Sequence, residues 1–196
     1  MDTWVIMGEK EIAMKNPCAI LRAENAAIRS ILEVLEEICF LLRADQEILQ
    51  IDLVKIADFL ERYCEIFHNE KEMHYLYPAM AAAGLFDAKP ELLELADEHD
   101  IGRTFIEELK LVTAGNEFNS DDFIMHAEAY IEHMRLHIDA EETLLFPLAE
   151  KALPDKDQAA VIQAFEQWKT GNDNGGQALD FDRLIQYFHQ KYLRNR

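Results

Sequence analysis

Glycine is scarce in this chain, at seven of 196 residues, and three of the seven fall in the stretch GNDNGG at 171–176. So few chain-breaking positions argue against a fold of short strands and tight turns and leave long periodic segments, an all-helical class. Cysteine is scarcer still: Cys18, Cys39 and Cys64 are odd in number, widely spaced and free of any C-x-x-C pairing. That excludes a disulfide framework or a thiolate metal knot and reads as reduced thiols, with Cys39 and Cys64 serving as small core hydrophobes. Positive charge is in deficit, with 19 basic against 38 acidic side chains and a formal charge of −19. Such a surface repels phosphate backbones and anionic lipid heads, so neither nucleic acid nor a membrane is an expected partner. No apolar run nears the ~20 residues needed to span a bilayer. The opening MDTWVIMGEKEIAMKN also lacks the basic start and long apolar stretch of a signal peptide, and the expectation is a soluble, cytoplasmic protein.

The chain is 49% hydrophobic, enough for one domain with a substantial core. Asn16-Pro17 supplies a capping residue and a proline at the first helical position, opening a helix to about 43 with Leu21, Ile28, Leu32, Leu35 and Cys39 near one face. A second helix is expected over about 52–82, with Pro78 kinking or loosening its last turns. A third runs from Pro90 to Thr113, before Gly115, and a fourth is capped at Ser120 and runs to about 152. Beyond Pro154 a helix to about 168 and a last one over about 181–192 are expected to pack outside the main four. The resulting division is an N-terminal extension (1–16), a four-helix unit (17–153) and C-terminal helices packed on it (154–196).

One eleven-residue frame occurs twice: HNEKEMHYLYP at 68–78 and HIDAEETLLFP at 137–147. Each closes the second helix of a hairpin, which predicts a duplicated αα-hairpin folded as an antiparallel bundle. Residues four apart share a helix face, so His68 with Glu72, and His137 with Glu141, each present an imidazole and a carboxylate in one direction. Cys64, Tyr130, His126 and His133 lie on the same faces, and their company points those groups inward. A buried, unpaired carboxylate costs several kcal/mol, and two facing each other repel, so an inward pair calls for a cation. The first helix of the second hairpin adds His99, within LADEHD, on the face of Leu92, Leu95 and Ile106. Three imidazoles with carboxylates suit iron, manganese or zinc and are too nitrogen-rich for calcium or magnesium.

These residues resemble the hemerythrin-like, or HHE cation-binding, proteins. The resemblance rests on H-x-x-x-E followed by leucine, an aromatic and proline at His68/Glu72/Leu76-Tyr77-Pro78 and at His137/Glu141/Leu145-Phe146-Pro147, and on the dipeptide Glu98-His99. It covers roughly residues 17–190. It implies an up-and-down four-helix bundle around a non-haem di-iron centre, with Glu72 and Glu141 bridging two irons and His68, His99 and His137 as terminal ligands. Two departures stand out. Where the family's first helix carries Glu-His, this chain reads LRAEN, with Asn25 in place of the histidine, which weakens or empties that half-site or leaves it to another side chain such as His133. Arg103 occupies the position where oxygen-carrying members have a further histidine, which argues against a simple oxygen carrier. His74 is expected at the surface, and His189 has no evident partner. A ferritin-like cage needs two E-x-x-H motifs, and only Glu65-x-x-His68 fits.

The functional expectation is a metal-binding protein, iron by resemblance, with one or two ions and with manganese or zinc as alternatives. It would bind O₂ or another small diatomic, or sense iron or redox state. The alternatives are a redox enzyme acting on O₂, peroxide or nitric oxide, or an iron donor for cluster repair; a third class is an interaction module with a structural metal.

Overall fold

The computed structural model describes residues 16–115, 118–172 and 177–193, and every regular element among them is helical. Most of the expected N-terminal extension and the centre of the glycine-rich loop lie outside the described residues. Helix α1 is Pro17–Arg43, begun as expected by Asn16, whose side-chain oxygen accepts the Cys18 N–H at 2.8 Å. Its buried positions recur every three or four residues and carry three polar members, Glu24, Asn25 and Glu37, inside an otherwise apolar stripe.

Helix α2 is a continuous rod over 50–82. It starts as Gln50–Phe59, widens into π-helical turns at Leu60–Asn69 and again at Glu72–Leu76, and ends as Tyr77–Ala82. The wider register shows in the Tyr77 N–H, which bonds to the Glu72 carbonyl. A helix-interior proline crowds the carbonyl four residues behind it, and the π turns immediately upstream of Pro78 make room for it. The expected loosening at Pro78 is thus a change of register that leaves the rod unbroken. Gly84, at φ +74, supplies the left-handed residue that stops the rod.

A short helix that the periodicity did not anticipate, α3 (Leu85–Ala88), leads into α4 (Glu91–Ala114). Helix α5 spans 120–152: Ser120–Ala140, π turns at Glu141–Leu145 before Pro147, then Phe146–Ala152. Its cap is Asn119 rather than the expected Ser120, because the Asn119 side chain accepts from the N–H groups of both Asp121 and Asp122. Helices α6 (Asp155–Asn172) and α7 (Gln177–Phe188, continued by π turns at His189–Leu193) complete the described chain, both longer than expected.

Two apolar clusters organise the interior. One gathers Ile28 to Leu42 of α1, Leu53 to Cys64 of α2, Ile106 and Leu109 of α4, and Phe123 to Ile138 of α5. The other gathers Cys18 and Leu21, Leu76 to Met80, Leu92 and Leu95, and Leu145 to Ala149 from the same four helices. Helices α1 and α4 therefore run from the second cluster to the first, and α2 and α5 run the opposite way. Helix α6 adds Val161 and Phe165 to the second cluster, and α7 adds Phe181 and Phe188 to the first. Asp52, fully buried on α2, fastens α7 by accepting hydrogen bonds from Tyr187 (2.9 Å), Tyr192 (2.6 Å) and Lys191. His189 also gains a partner the sequence did not reveal, the Ser30 hydroxyl at 2.6 Å. Among the described residues no helix is long and apolar enough to cross a membrane.

Candidate metal centre

Between the two clusters, at one level in all four long helices, lies a polar layer. Each helix passes from apolar to polar to apolar there: Leu21 to Glu24-Asn25 to Ile28, Cys64 to His68 and Glu72 to Leu76, Leu95 to His99 to Ile106, and Met134 to His137 and Glu141 to Leu145. All five residues singled out from the sequence are buried in this layer, with Glu72 and Glu141 fully enclosed and His99, the most exposed of the five, at 4%.

Glu72, His99, His137 and Glu141 each offer a ligand-type atom within 4.8 Å of the others. The two carboxylates use their oxygens differently. Glu72 turns Oε2 toward His99 Nε2 at 3.5 Å and Oε1 toward His68 Nε2 at 3.9 Å. Glu141 turns Oε1 toward His137 Nε2 at 2.8 Å and His99 Nε2 at 4.0 Å, while its Oε2 accepts the Asn25 amide at 2.7 Å. His68 thus stands on the other oxygen of Glu72, outside the tight foursome.

The far nitrogens of two histidines are held by carboxylates that sequence reasoning passed over. His68 Nδ1 pairs with Glu24 Oε2 at 3.1 Å, and His137 Nδ1 with Glu98 Oε2 at 2.9 Å. Each carboxylate is the first member of a dipeptide whose second member faces the layer, Glu24-Asn25 and Glu98-His99. The repeated glutamate was the available signal, because a ligating histidine commonly donates its other nitrogen to a carboxylate that orients it. Lys71 was also missed; it is 3% exposed and binds the other oxygen of Glu24.

The surrounding residues settle into lesser roles. His133 bonds to the Glu98 carbonyl at 3.0 Å and so braces the layer from outside. Tyr130 is fully buried next to Cys64. Arg103 pairs with Asp100 at 2.8 Å and approaches Glu65 at 3.5 Å, and Glu65 accepts from Asn69, so the lone E-x-x-H glutamate is engaged elsewhere. His74 is exposed as expected.

Electrostatics favour a bound cation. Burial alone would lower the His137 pKa, but the Glu141 and Glu98 carboxylates raise it to about 10. Burial would raise Glu141, yet the charge and hydrogen bond of His137 hold it well below the usual carboxylate range. Glu72 goes the other way: burial, then the Glu141 charge, push it up. Both Glu72 oxygens, both His99 nitrogens and the inward nitrogen of His68 have no hydrogen-bond partner, and the inward nitrogen of His137 meets Glu141 Oε1 alone. Buried polar atoms are ordinarily paired, so this many orphans aimed into one layer fit a set of ligand atoms for a transition ion.

An all-helical chain with an enclosed layer of imidazoles and carboxylates falls in the class of helical proteins carrying an internal cation site. The family model for the hemerythrin HHE cation binding domain matches residues 16–149, α1 through most of α5. The chain belongs to that family. It is 25% identical over 162 residues, 81% of its own length, to uncharacterised proteins of Mycobacterium bovis and of Mycobacterium tuberculosis, and it spans 62% of the length of those relatives. No solved structure matches it.

Proposed function

We propose that this chain is a cytoplasmic non-haem iron protein. Its four long helices form an up-and-down bundle over about 17–153, with 154–196 packed against it. The alternating direction of α1, α2, α4 and α5 between the two apolar clusters supports that arrangement. Iron would be held by His68, Glu72, His99, His137 and Glu141, as a di-iron centre to which both buried glutamates would contribute. The observation that carries this reading is the pair of fully buried glutamates whose oxygens face two sides, Glu72 toward His99 and His68, Glu141 toward His137 and Asn25. The protein offers fewer donors than two six-coordinate ions require, which leaves positions for O₂ or another small diatomic ligand. When bound, iron supplies reversible one-electron chemistry and affinity for such ligands. The protein's own contribution is to orient the imidazoles through Glu24 and Glu98, and to exclude bulk water by closing the layer between apolar clusters.

A second reading, a redox enzyme acting on O₂, peroxide or nitric oxide, draws on Tyr77. Its buried hydroxyl has no partner, and its ring lies 6.5 Å from that of His99. Anaerobic reconstitution with ferrous iron separates the two: a spectral change that reverses on deoxygenation supports binding, and sustained consumption of peroxide or nitric oxide with a reductant supports the enzyme. Combining His137→Ala with Glu141→Ala should abolish iron uptake; an unchanged iron content in that variant removes the centre.

A further inference from the structure

The two halves of the proposed centre are built on one plan but finished differently. His68 and Glu72 of α2 correspond to His137 and Glu141 of α5, and Glu24-Asn25 of α1 to Glu98-His99 of α4. Within that correspondence Asn25 replaces His99, and Lys71, the residue before Glu72, replaces Ala140, the residue before Glu141.

Lys71 is nearly enclosed. Its ammonium binds Glu24, sits 3.8 Å from the centre of the Phe67 ring, and is flanked by Phe165 at 5.7 Å and Trp168 at 5.9 Å, both from α6. Helix α6 lies beyond the family-matched residues, so a C-terminal addition holds a cation behind a site histidine. At the other half, Glu98 backs His137 with a carboxylate whose side chain is 39% exposed, and Ala140 brings it no charge.

The consequences for a cation differ. Beside His99 and His137 stand two imidazoles and two facing carboxylate oxygens, and the charge of Glu98 strengthens His137 as a donor. Beside His68 there is one imidazole, and Lys71 neutralises the carboxylate behind it. Of the Glu141 oxygens, Oε1 already faces His137 and His99, and Oε2 is engaged by the Asn25 amide. A second cation there must displace that hydrogen bond and approach a fixed positive charge in a medium that screens poorly.

We propose that the centre loads in order. The first cation is taken by Glu72, His99, His137 and Glu141, the place beside His68 holds a second one more weakly, and Lys71 and Asn25 set the difference. This rests on the reading of the polar layer as a transition-metal site. The test is anaerobic titration of the chelator-stripped full chain with Fe(II), and with Zn(II) as a redox-silent probe, by calorimetry and by metal analysis after gel filtration. Wild type should retain one equivalent through the column and bind a second with a dissociation constant about 10- to 100-fold higher. Lys71→Gln, which keeps a donor for Glu24 while dropping the charge, should strengthen the second equivalent about tenfold, as should Asn25→His. Two equivalents of equal affinity in wild type overturn the proposal, as does a second equivalent that is unchanged or missing in both variants. Failure of wild type to bind even one equivalent removes the metal site itself, and with it the order.

Discussion

Glu72 offers the sharpest separation of stability from function. It is fully buried, neither carboxylate oxygen has a hydrogen-bond partner, and its neighbour Glu141 is like-charged. Glu141 is compensated by His137 at 2.8 Å and by the Asn25 amide at 2.7 Å, and Glu72 has nothing comparable. In the metal-free chain Glu72 therefore opposes folding, and methionine, of similar volume, removes the desolvated group without opening a cavity. Replacing buried charge by packed apolar atoms stabilises by about 1–3 kcal/mol. At about 2–4 °C per kcal/mol for a chain of this size, Glu72→Met should melt about 2–12 °C above wild type in chelator. Saturating metal should reverse the order. A ligand at about a thousandfold excess over its dissociation constant adds about 4 kcal/mol to wild type, and the variant, lacking one of the proposed ligands, gains little. Scanning calorimetry of both proteins, with chelator and then with Zn(II), reads both signs. If the variant melts below wild type without metal, or if metal raises the two equally, Glu72 is a structural residue and the reasoning fails.

Glu98→Gln should weaken the first metal equivalent about 10- to 100-fold by removing the charge that orients His137, measurable by competition with a chromophoric chelator; unaltered affinity would show that the imidazole is held without it. Asp52 should matter to stability alone. Burial would raise its pKa, but hydrogen bonds from Lys191, Tyr192 and Tyr187 bring it below its ordinary 3.8. Its contribution is therefore complete above that value and lost as pH falls through the lower, folded one. Asp52→Asn should cost about 3 kcal/mol at pH 7 and flatten the acid limb of the unfolding curve, with metal stoichiometry unaltered. Burial pushes the Cys18, Cys39 and Cys64 thiols up to about 12, so iodoacetamide at pH 8 should label them only after unfolding; rapid labelling of the native chain would contradict the packing.

Much of this molecule is written in short-range pattern. The stripe of α1, the Asn16 cap and the two H-x-x-x-E frames depend on residues at most one or two turns apart, and helical geometry alone turns that spacing into a shared face. The departure at Asn25 was equally plain, because it is a matter of identity at a position. Other features stayed hidden for a common reason. Ser120 and Asn119 can both cap by residue type, and only the backbone path selects Asn119. The π turns before Pro78 leave the helix unbroken where the sequence argues for kinking or loosening, and the same device precedes Pro147, because proline's steric demand states a problem and the packed helix chooses the answer.

The sequence by itself determined that this chain is helical, that it carries two imidazole–carboxylate pairs and that one expected histidine is missing, since each of these is local. Only the tertiary structure decided which carboxylate oxygen faces which imidazole, that Glu24 and Glu98 stand behind His68 and His137, and that α6 wraps Lys71 in aromatic rings at one half of the layer. Those pairings join residues on different helices, dozens of positions apart in the chain. Their register is set by how the two apolar clusters close around the polar layer, and no spacing along the sequence encodes that distance.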